Sequence, residues 1–339
     1  MTPAEFPHAM PKVELHVHLE GSIRPETVLK LAERNGVALP ADTVEGLRAW
    51  YAFRDFPHFV EVYVAVTKCV RTPDDLELIM REFLEGQRAE NVLHSEVTYT
   101  ASTVETQCGI PWPDQHAALL RGIAHGETLG VTCGLILDIV RGDPVERAME
   151  VAQWATTGEG VVALGLAGEE RLGTRPYAPA VALAAERGLP WVPHAGETTG
   201  PETIRECLAI GSPRRVGHGV RAVEDARLVA ELRDRGIPLE VCPTSNVALG
   251  VVPSLAEHPL PRLMDEGVAV TVNSDDPPMF GTTLSDEFAR CGETFEFDAD
   301  IFYSLTMNAV NAALVSDARR AELRTAVREG FAALEDEEE

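Results

Sequence analysis

Basic residues are scarce in this chain: 29 Lys and Arg stand against 54 Asp and Glu, a formal charge of -25 over 339 residues. That balance disfavours a nucleic-acid backbone or an anionic membrane surface as partner and points to a small-molecule ligand. No segment runs about 18 uninterrupted apolar residues, the length a membrane span needs. The start MTPAEFPHAMPK lacks a basic region followed by an apolar stretch, so a cytoplasmic chain is expected. The six cysteines, Cys69, Cys108, Cys133, Cys207, Cys242 and Cys291, form no CxxC pair. Most lie among apolar neighbours, which predicts reduced core thiols, not disulfides or a thiolate metal site. Also missing are a Walker loop, a GxSxG elbow, an HExxH helix, a Ser/His pairing that can be placed, a low-complexity linker and a short repeat. One domain over 1–339 is the economical reading, with 333–339 an acidic frayed end; nothing in the sequence specifies an oligomeric state.

What the chain does contain is a series of short apolar runs of strand length. KVELHVHL begins near Lys12, followed by VLHSEVTY (92–99), TCGLILDIV (132–140), VVALGLAG (161–168), PWVPHAGE (190–197), RVGHGV (215–220), PLEVCPTS (238–245) and AVTVNSDDP (269–277). Between them lie helical patterns, such as 201–210, 223–235 and 254–265. Continuous apolar strands separated by amphipathic helices mean parallel strands covered on their outer face and joined by right-handed crossovers. Eight such units predict an α/β fold, a closed (β/α)8 TIM barrel. An open doubly wound sheet would normally carry a glycine-rich first turn, and HLEGSIRPE has a single glycine.

Ser22 is positioned to cap a helix from Pro25 to Asn35, with Gly36 as its stop. Residues 40–90 read as extra helices between strands 1 and 2. Phe56, Phe59, Val60, Tyr63, Val64 and Thr67 fall at helical spacing. A second stripe, Leu76, Ile79, Met80, Phe83, Leu84 and Gln87, follows the cap-like Thr72-Pro73-Asp74. Core packing is the plainer expectation for both stripes, and a substrate-lining role the second.

A barrel places its reactive residues at the C-terminal ends of its strands. His16 and His18 end the first run, two apart and so on one face, about 7 Å from each other along the strand. His194 and Glu197 end the fifth, His218 the sixth, and Asp275 and Asp276 the eighth. Imidazoles with a carboxylate and no thiolate suit zinc or a similar divalent ion with a position left open for water. Such an ion brings the pKa of bound water toward neutrality, so hydrolytic chemistry is expected. A carboxyl at Glu197, kept protonated by an apolar wall or a neighbouring charge, could donate to a substrate ring nitrogen. Asp275 and Asp276 would divide two tasks, one on the metal and one reading the substrate as a hydrogen-bond acceptor. A helix N-cap is the alternative for that pair, since Pro277 follows.

PKVELHVHLEGS, LAGEE, HAGE, GHG, CPTSN and NSDDP, in this order and nearly end to end, resemble the adenosine deaminase family of the amidohydrolase superfamily. The resemblance implies one zinc ion per chain held by His16, His18, His194 and Asp275. It implies that Glu197 protonates purine N1 as hydroxide attacks C6, that His218 orients and helps activate the metal-bound water, that Asp276 bonds N7, and that the backbone N–H of Gly168 meets N3. Phe56, Phe59 and Tyr63 correspond by position to the family's helical gate. Two departures touch the substrate. HLEG replaces the usual HLDG, putting Glu20 one methylene further toward the 5' side, and Gly165 stands where an aspartate often precedes LAG. SDDPPMFGTTL is closer to the nucleoside branch than to adenine deaminases. The expected substrate is therefore a 5'-modified 6-aminopurine nucleoside such as aminodeoxyfutalosine of the menaquinone pathway, with adenosine next and free adenine as the alternative.

Overall fold

The computed structural model describes residues 5–336. Eight strands, β1 (Lys12–His18), β2 (Val92–Tyr99), β3 (Thr132–Val140), β4 (Val161–Ala167), β5 (Trp191–Ala195), β6 (Val216–His218), β7 (Leu239–Val241) and β8 (Val270–Val272), pair in chain order. Every pair is parallel. The runs at 92–99 and 132–140 are strands over their full length, as their largely β-branched and apolar content predicts. The last three strands are only three residues long. PLEVCPTS divides because Pro243 opens a helix, Pro243–Ala248, immediately beyond β7.

The barrel closes through side chains as well as backbone. Past the end of β8, Asp275 bridges to Val17: the His18 N–H donates to the Asp275 carbonyl at 2.9 Å, and the Asp275 N–H to the His16 carbonyl at 3.2 Å. Along β1 the register against β2 slips between Glu14 and Val17, three steps on one strand facing two on the other. Asn273 Oδ1 takes up the N–H groups of Leu15 and His16 there, at 3.0 and 3.1 Å. Ser274 secures the same seam by donating its N–H, at 2.9 Å, and its hydroxyl to Glu14. This bulge turns both His16 and His18 toward the barrel axis.

Helices cover the outside, and the main apolar core lies between them and the strands. Inside the barrel Ile136, Ala163 and Val192 form a small apolar layer of their own, apart from the main core. Between β1 and β2 the chain forms helices Val44–Trp50, Phe56–Thr67 and Pro73–Ala89. Thr72 and Asp75 cap the third reciprocally, and its whole apolar stripe is buried, as expected.

Three local expectations are corrected. Ser22 caps nothing: helix Pro25–Asn35 starts from Arg24, and the Ser22 hydroxyl instead donates to the His18 carbonyl at 2.6 Å. The 223–235 segment divides at Asp225: Val223 and Glu224 end a 3-10 helix, Val220–Glu224, and the α-helix starts at Ala226, where Asp225 accepts the N–H groups of Arg227 and Leu228. The 254–265 segment splits into a short 3-10 turn and helix Leu260–Asp265, with Pro259 between them. The final helix, Asp317–Asp336, takes in 333–336 of the acidic end; residues 337–339 lie outside the described residues. No helix among the described residues is long and apolar enough to cross a membrane.

Candidate active site and metal centre

His16, His18, His194 and Asp275, from β1, β5 and the loop after β8, converge so that one donor atom from each lies within 4.8 Å of the others, all buried. Asp275 Oδ1 is 3.4 Å from Nε2 of both His16 and His18, and the Nε2 atoms of His18 and His194 stand 3.1 Å apart. Asp275 reaches this place at φ 63, and His218 likewise adopts φ 57, a left-handed conformation that costs a non-glycine residue roughly 1–3 kcal/mol. Such strain is held by the closure contacts on either side of Asp275.

The donor set fits a divalent cation. The His194 Nδ1–H donates to the Leu166 carbonyl at 3.0 Å, which leaves its Nε2 lone pair facing the centre. His16 gives its Nδ1 to the Glu240 carboxylate at 2.9 Å, and its inward Nε2 is buried without a protein partner. Lone pairs converging in a buried space need a cation to satisfy them. Burial alone would raise Asp275, but the His16 and His18 imidazoles beside it, with His218, hold it well below the usual carboxylate range. Burial and then the neighbouring imidazoles keep His194 neutral, as a ligand must be.

Beneath His16 lies a residue set that the sequence reading did not single out. Glu240 bonds the Arg215 guanidinium, which also reaches Glu96 at 2.6 Å, all three fully buried. A lone acid inside an apolar strand run, LEV or HSEV, is the signal that could have shown them. Cys242 also lies nearer than its sequence context suggests. Its thiol forms a second donor group with His16, His218 and Asp275, though burial first, and then the surrounding carboxylates, hold it protonated. All six cysteines are unpaired, and Cys133 alone is not fully buried.

Glu197 follows β5 in a loop gathered by Glu170 of LAGEE, whose carboxylate accepts the Thr199 N–H at 2.7 Å, the Thr199 hydroxyl at 2.8 Å and the Glu197 N–H at 3.2 Å. Burial, then the charges of Asp275 and Glu170, push the Glu197 carboxyl well above its ordinary pKa. His218 Nε2 stands 3.8 Å from Glu197 and 3.9 Å from Asp275. Asp276 occupies the backbone N-cap position of helix Pro277–Phe280, but its side chain makes no capping bond. Its Oδ1 is buried without a partner, and burial followed by the Asp275 charge raises it well above the carboxylate range. The carboxyl comes so close to Gly21 that a Cβ there would overlap it, which accounts for the glycine of HLEGS.

These groups open onto a cavity of about 740 Å³, counting its mouth. Its inner end is lined by His18, His194, Glu197, His218, Asp275 and Asp276, with Gly168 at one side. The outer wall is mostly apolar: Phe56, Phe59, Val60, Tyr63 and Val64 from helix Phe56–Thr67 face Val140 and Leu249. Both expectations for this stripe therefore hold in part: Thr67 is buried and Phe59 and Tyr63 pack against the core, while Phe56, Phe59, Val60, Tyr63 and Val64 also line the cavity. Glu20 does not line the cavity. It is fully buried behind Tyr63, accepting the Tyr63 hydroxyl at 3.1 Å and the Thr100 N–H at 2.9 Å.

The departure at Gly165 has a steric reason. Asp138 of β3 fills the space opposite, where a side chain at 165 would overlap its carboxylate. Both Asp138 oxygens lack hydrogen-bond partners, and burial raises the group to about 7. Asp138 was not singled out from the sequence, although it too is a lone acid in an apolar run.

The adenosine deaminase family model matches residues 11–330. The chain is 39% identical to aminodeoxyfutalosine deaminase of Streptomyces coelicolor over 91% of this chain and 81% of that protein. It is 39% identical to adenine deaminase of Bordetella parapertussis over 91% of this chain and 98% of that protein. An amidohydrolase from Burkholderia ambifaria, solved with bound zinc, superposes with a TM-score of 0.91 at 28% identity, covering 99% of this chain and 95% of that one. A closed barrel with this convergent site and these relatives is a hydrolase of C–N bonds acting on a purine, and the chain belongs to the adenosine deaminase family.

Proposed function

We propose that this chain is a zinc-dependent deaminase that exchanges the 6-amino group of a purine nucleoside for a 6-keto group and releases ammonia. The observation that carries the reading is Glu197, a buried carboxyl pushed well above its ordinary pKa, held across one cavity from four converging metal donors. His16, His18, His194 and Asp275 would hold one zinc ion, which when bound supplies a water nucleophile at neutral pH. Glu197 donates its proton to N1, relieving the ring of negative charge as water adds at C6. Asp276, whose carboxyl is raised well above the carboxylate range, would donate to N7; this replaces the acceptor role expected from sequence, since N7 has only a lone pair to offer. The Gly168 N–H meets N3, and His218 sits beside the attacking oxygen between Glu197 and Asp275.

The favoured substrate is a 6-aminopurine nucleoside modified at the 5' position with an aromatic group, of which aminodeoxyfutalosine is the type. Two features support it: Phe56 and Phe59 give the outer cavity an aromatic wall, and Glu20 is drawn away from the ribose side by Tyr63 and Thr100. Adenosine follows, and the Bordetella relative keeps free adenine as the second reading. Comparing kcat/KM for aminodeoxyfutalosine, 5'-deoxyadenosine, adenosine and adenine on protein of measured zinc content decides among them. Ammonia release from none of these would remove the proposal, and an advantage for adenine would move it to the free base.

A further inference from the structure

A chain of hydrogen bonds leads from His218 away from the cavity and fixes its own direction. At its far end the backbone N–H of Leu260 donates to His258 Nδ1 at 3.1 Å. A backbone N–H can only donate, so that ring nitrogen is bare and the proton of a neutral His258 sits on Nε2. His258 Nε2 is 3.1 Å from the Asn246 side chain, which must therefore turn its carbonyl Oδ1 to it. The Asn246 Nδ2–H2 then points the other way and donates to His218 Nδ1, also at 3.1 Å. An accepting Nδ1 leaves the His218 proton on Nε2, facing Glu197 and Asp275.

We propose that His258, acting through Asn246, is a positioning residue that locks His218 as the Nε2–H tautomer, so that His218 meets the reaction site as a hydrogen-bond donor. All three side chains are buried, which keeps water from competing for the intermediate bonds: Asn246 0%, His218 1% and His258 4% exposed. Burial depresses His258 to about 4, so it is neutral at physiological pH and the direction of the chain holds. Asn246 is itself fixed, since its carbonyl takes the N–H groups of Val251 and Val252 and its own N–H bonds Cys242. This gives the asparagine of CPTSN, and a histidine outside every motif, one shared task. The consequence for the reaction rests on the deaminase reading. A donor at Nε2 can hold the attacking water by its oxygen but cannot take a proton from it, so His218 orients water and does not act as its base.

The test is a nitrogen-15 NMR spectrum of the zinc-loaded full chain labelled at histidine, which distinguishes the two ring tautomers without reference to turnover. His218 in the wild type is expected with its proton on Nε2; finding it on Nδ1 would overturn the proposal outright. Asn246→Asp puts an acceptor against Nδ1 and should move the His218 proton there, lowering kcat roughly 10- to 100-fold with KM and zinc content little changed. His258→Phe frees the amide to turn over and should give a mixture of tautomers. His258→Gln restores an acceptor and a donor in the same order and should return both the wild-type signal and kcat. An unchanged His218 tautomer in folded, zinc-loaded Asn246→Asp would likewise sink the relay. The expected tautomers without deamination of any aminopurine would leave the relay standing and remove the proposed function instead.

Discussion

The floor and the mouth of this barrel are both crowded with buried polar groups, but only the floor satisfies them from within the protein. At the floor, Arg215 answers Glu96 and Glu240 together, and its Nη1 also reaches the Ala312 carbonyl at 2.9 Å. At the mouth, His16 Nε2, both Asp138 oxygens and Asp276 Oδ1 have no partner, and Glu197 is raised well above its ordinary pKa. Buried polar groups are nearly always paired in folded proteins, so unpaired atoms gathered beside converging metal donors mark where a ligand completes the structure, whereas others, such as Ser95 Oγ and Trp191 Nε1, are scattered through the fold. The two levels meet at His16, which faces the metal centre with one nitrogen and is oriented from below by Glu240 with the other.

The contrast can be broken from either side. The largest effect is expected at the mouth: Glu197→Gln should lower kcat by roughly 10²–10⁴-fold while metal analysis shows zinc retained. Glu197 acts protonated and its pKa is raised, so wild-type activity should be present below that pKa and fall as pH rises through it. The alkaline limb should vanish in the Gln variant's residual rate; a limb that persists would assign it to another group. At the floor, Arg215→Met takes the guanidinium from two buried carboxylates, and urea unfolding should show a loss of about 3–5 kcal/mol. Burial alone would raise Glu96, but Arg215 and then His94 hold it near 2. Its contribution to stability should thus be complete above about 4.5 and lost as pH falls toward 2.

Asp138→Asn sharpens the comparison by deleting an unpaired charge in place of a paired one. The raised carboxyl takes up a proton more readily in the folded chain, so it costs stability as pH rises from about 4 to about 7. Asp138→Asn should therefore be as stable as the wild type or more so at pH 8, with the gain absent below pH 4; a loss like that of Arg215→Met would show a hidden partner. The smallest effect is expected for Tyr63→Phe, which removes one hydrogen bond worth about 1 kcal/mol and releases an oxygen of Glu20. Its kcat/KM for adenosine should rise relative to a 5'-deoxy analogue if Glu20 then reaches the cavity.

Strand number, parallel order and the ends at which His16, His18, His194, His218 and Asp275 fall were legible because each depends on short-range pattern: apolar runs of strand length, helical spacing between them, and side-chain alternation along a strand. The shortness of β6 to β8 was less so, since Pro243 ends one run from outside its apolar stretch. Helix Phe56–Thr67 was legible only in part for a related reason. Its aromatic face reads as core on any amphipathic criterion, and only the space opposite decides whether that face meets protein or a cavity.

By itself, then, the sequence determined the barrel, the metal-competent residues and the family, because periodicity and motif order are properties of the chain taken in line. Tertiary structure alone decided that Asn273 and Ser274 sew the seam presenting Asp275, that Glu20 serves Tyr63, that Asp138 stands in for a side chain at Gly165, and that Asn246 joins His218 to His258. Each of those is a contact between residues far apart in the chain or a hydrogen bond whose direction is set by a third group, and neither leaves a trace in local pattern.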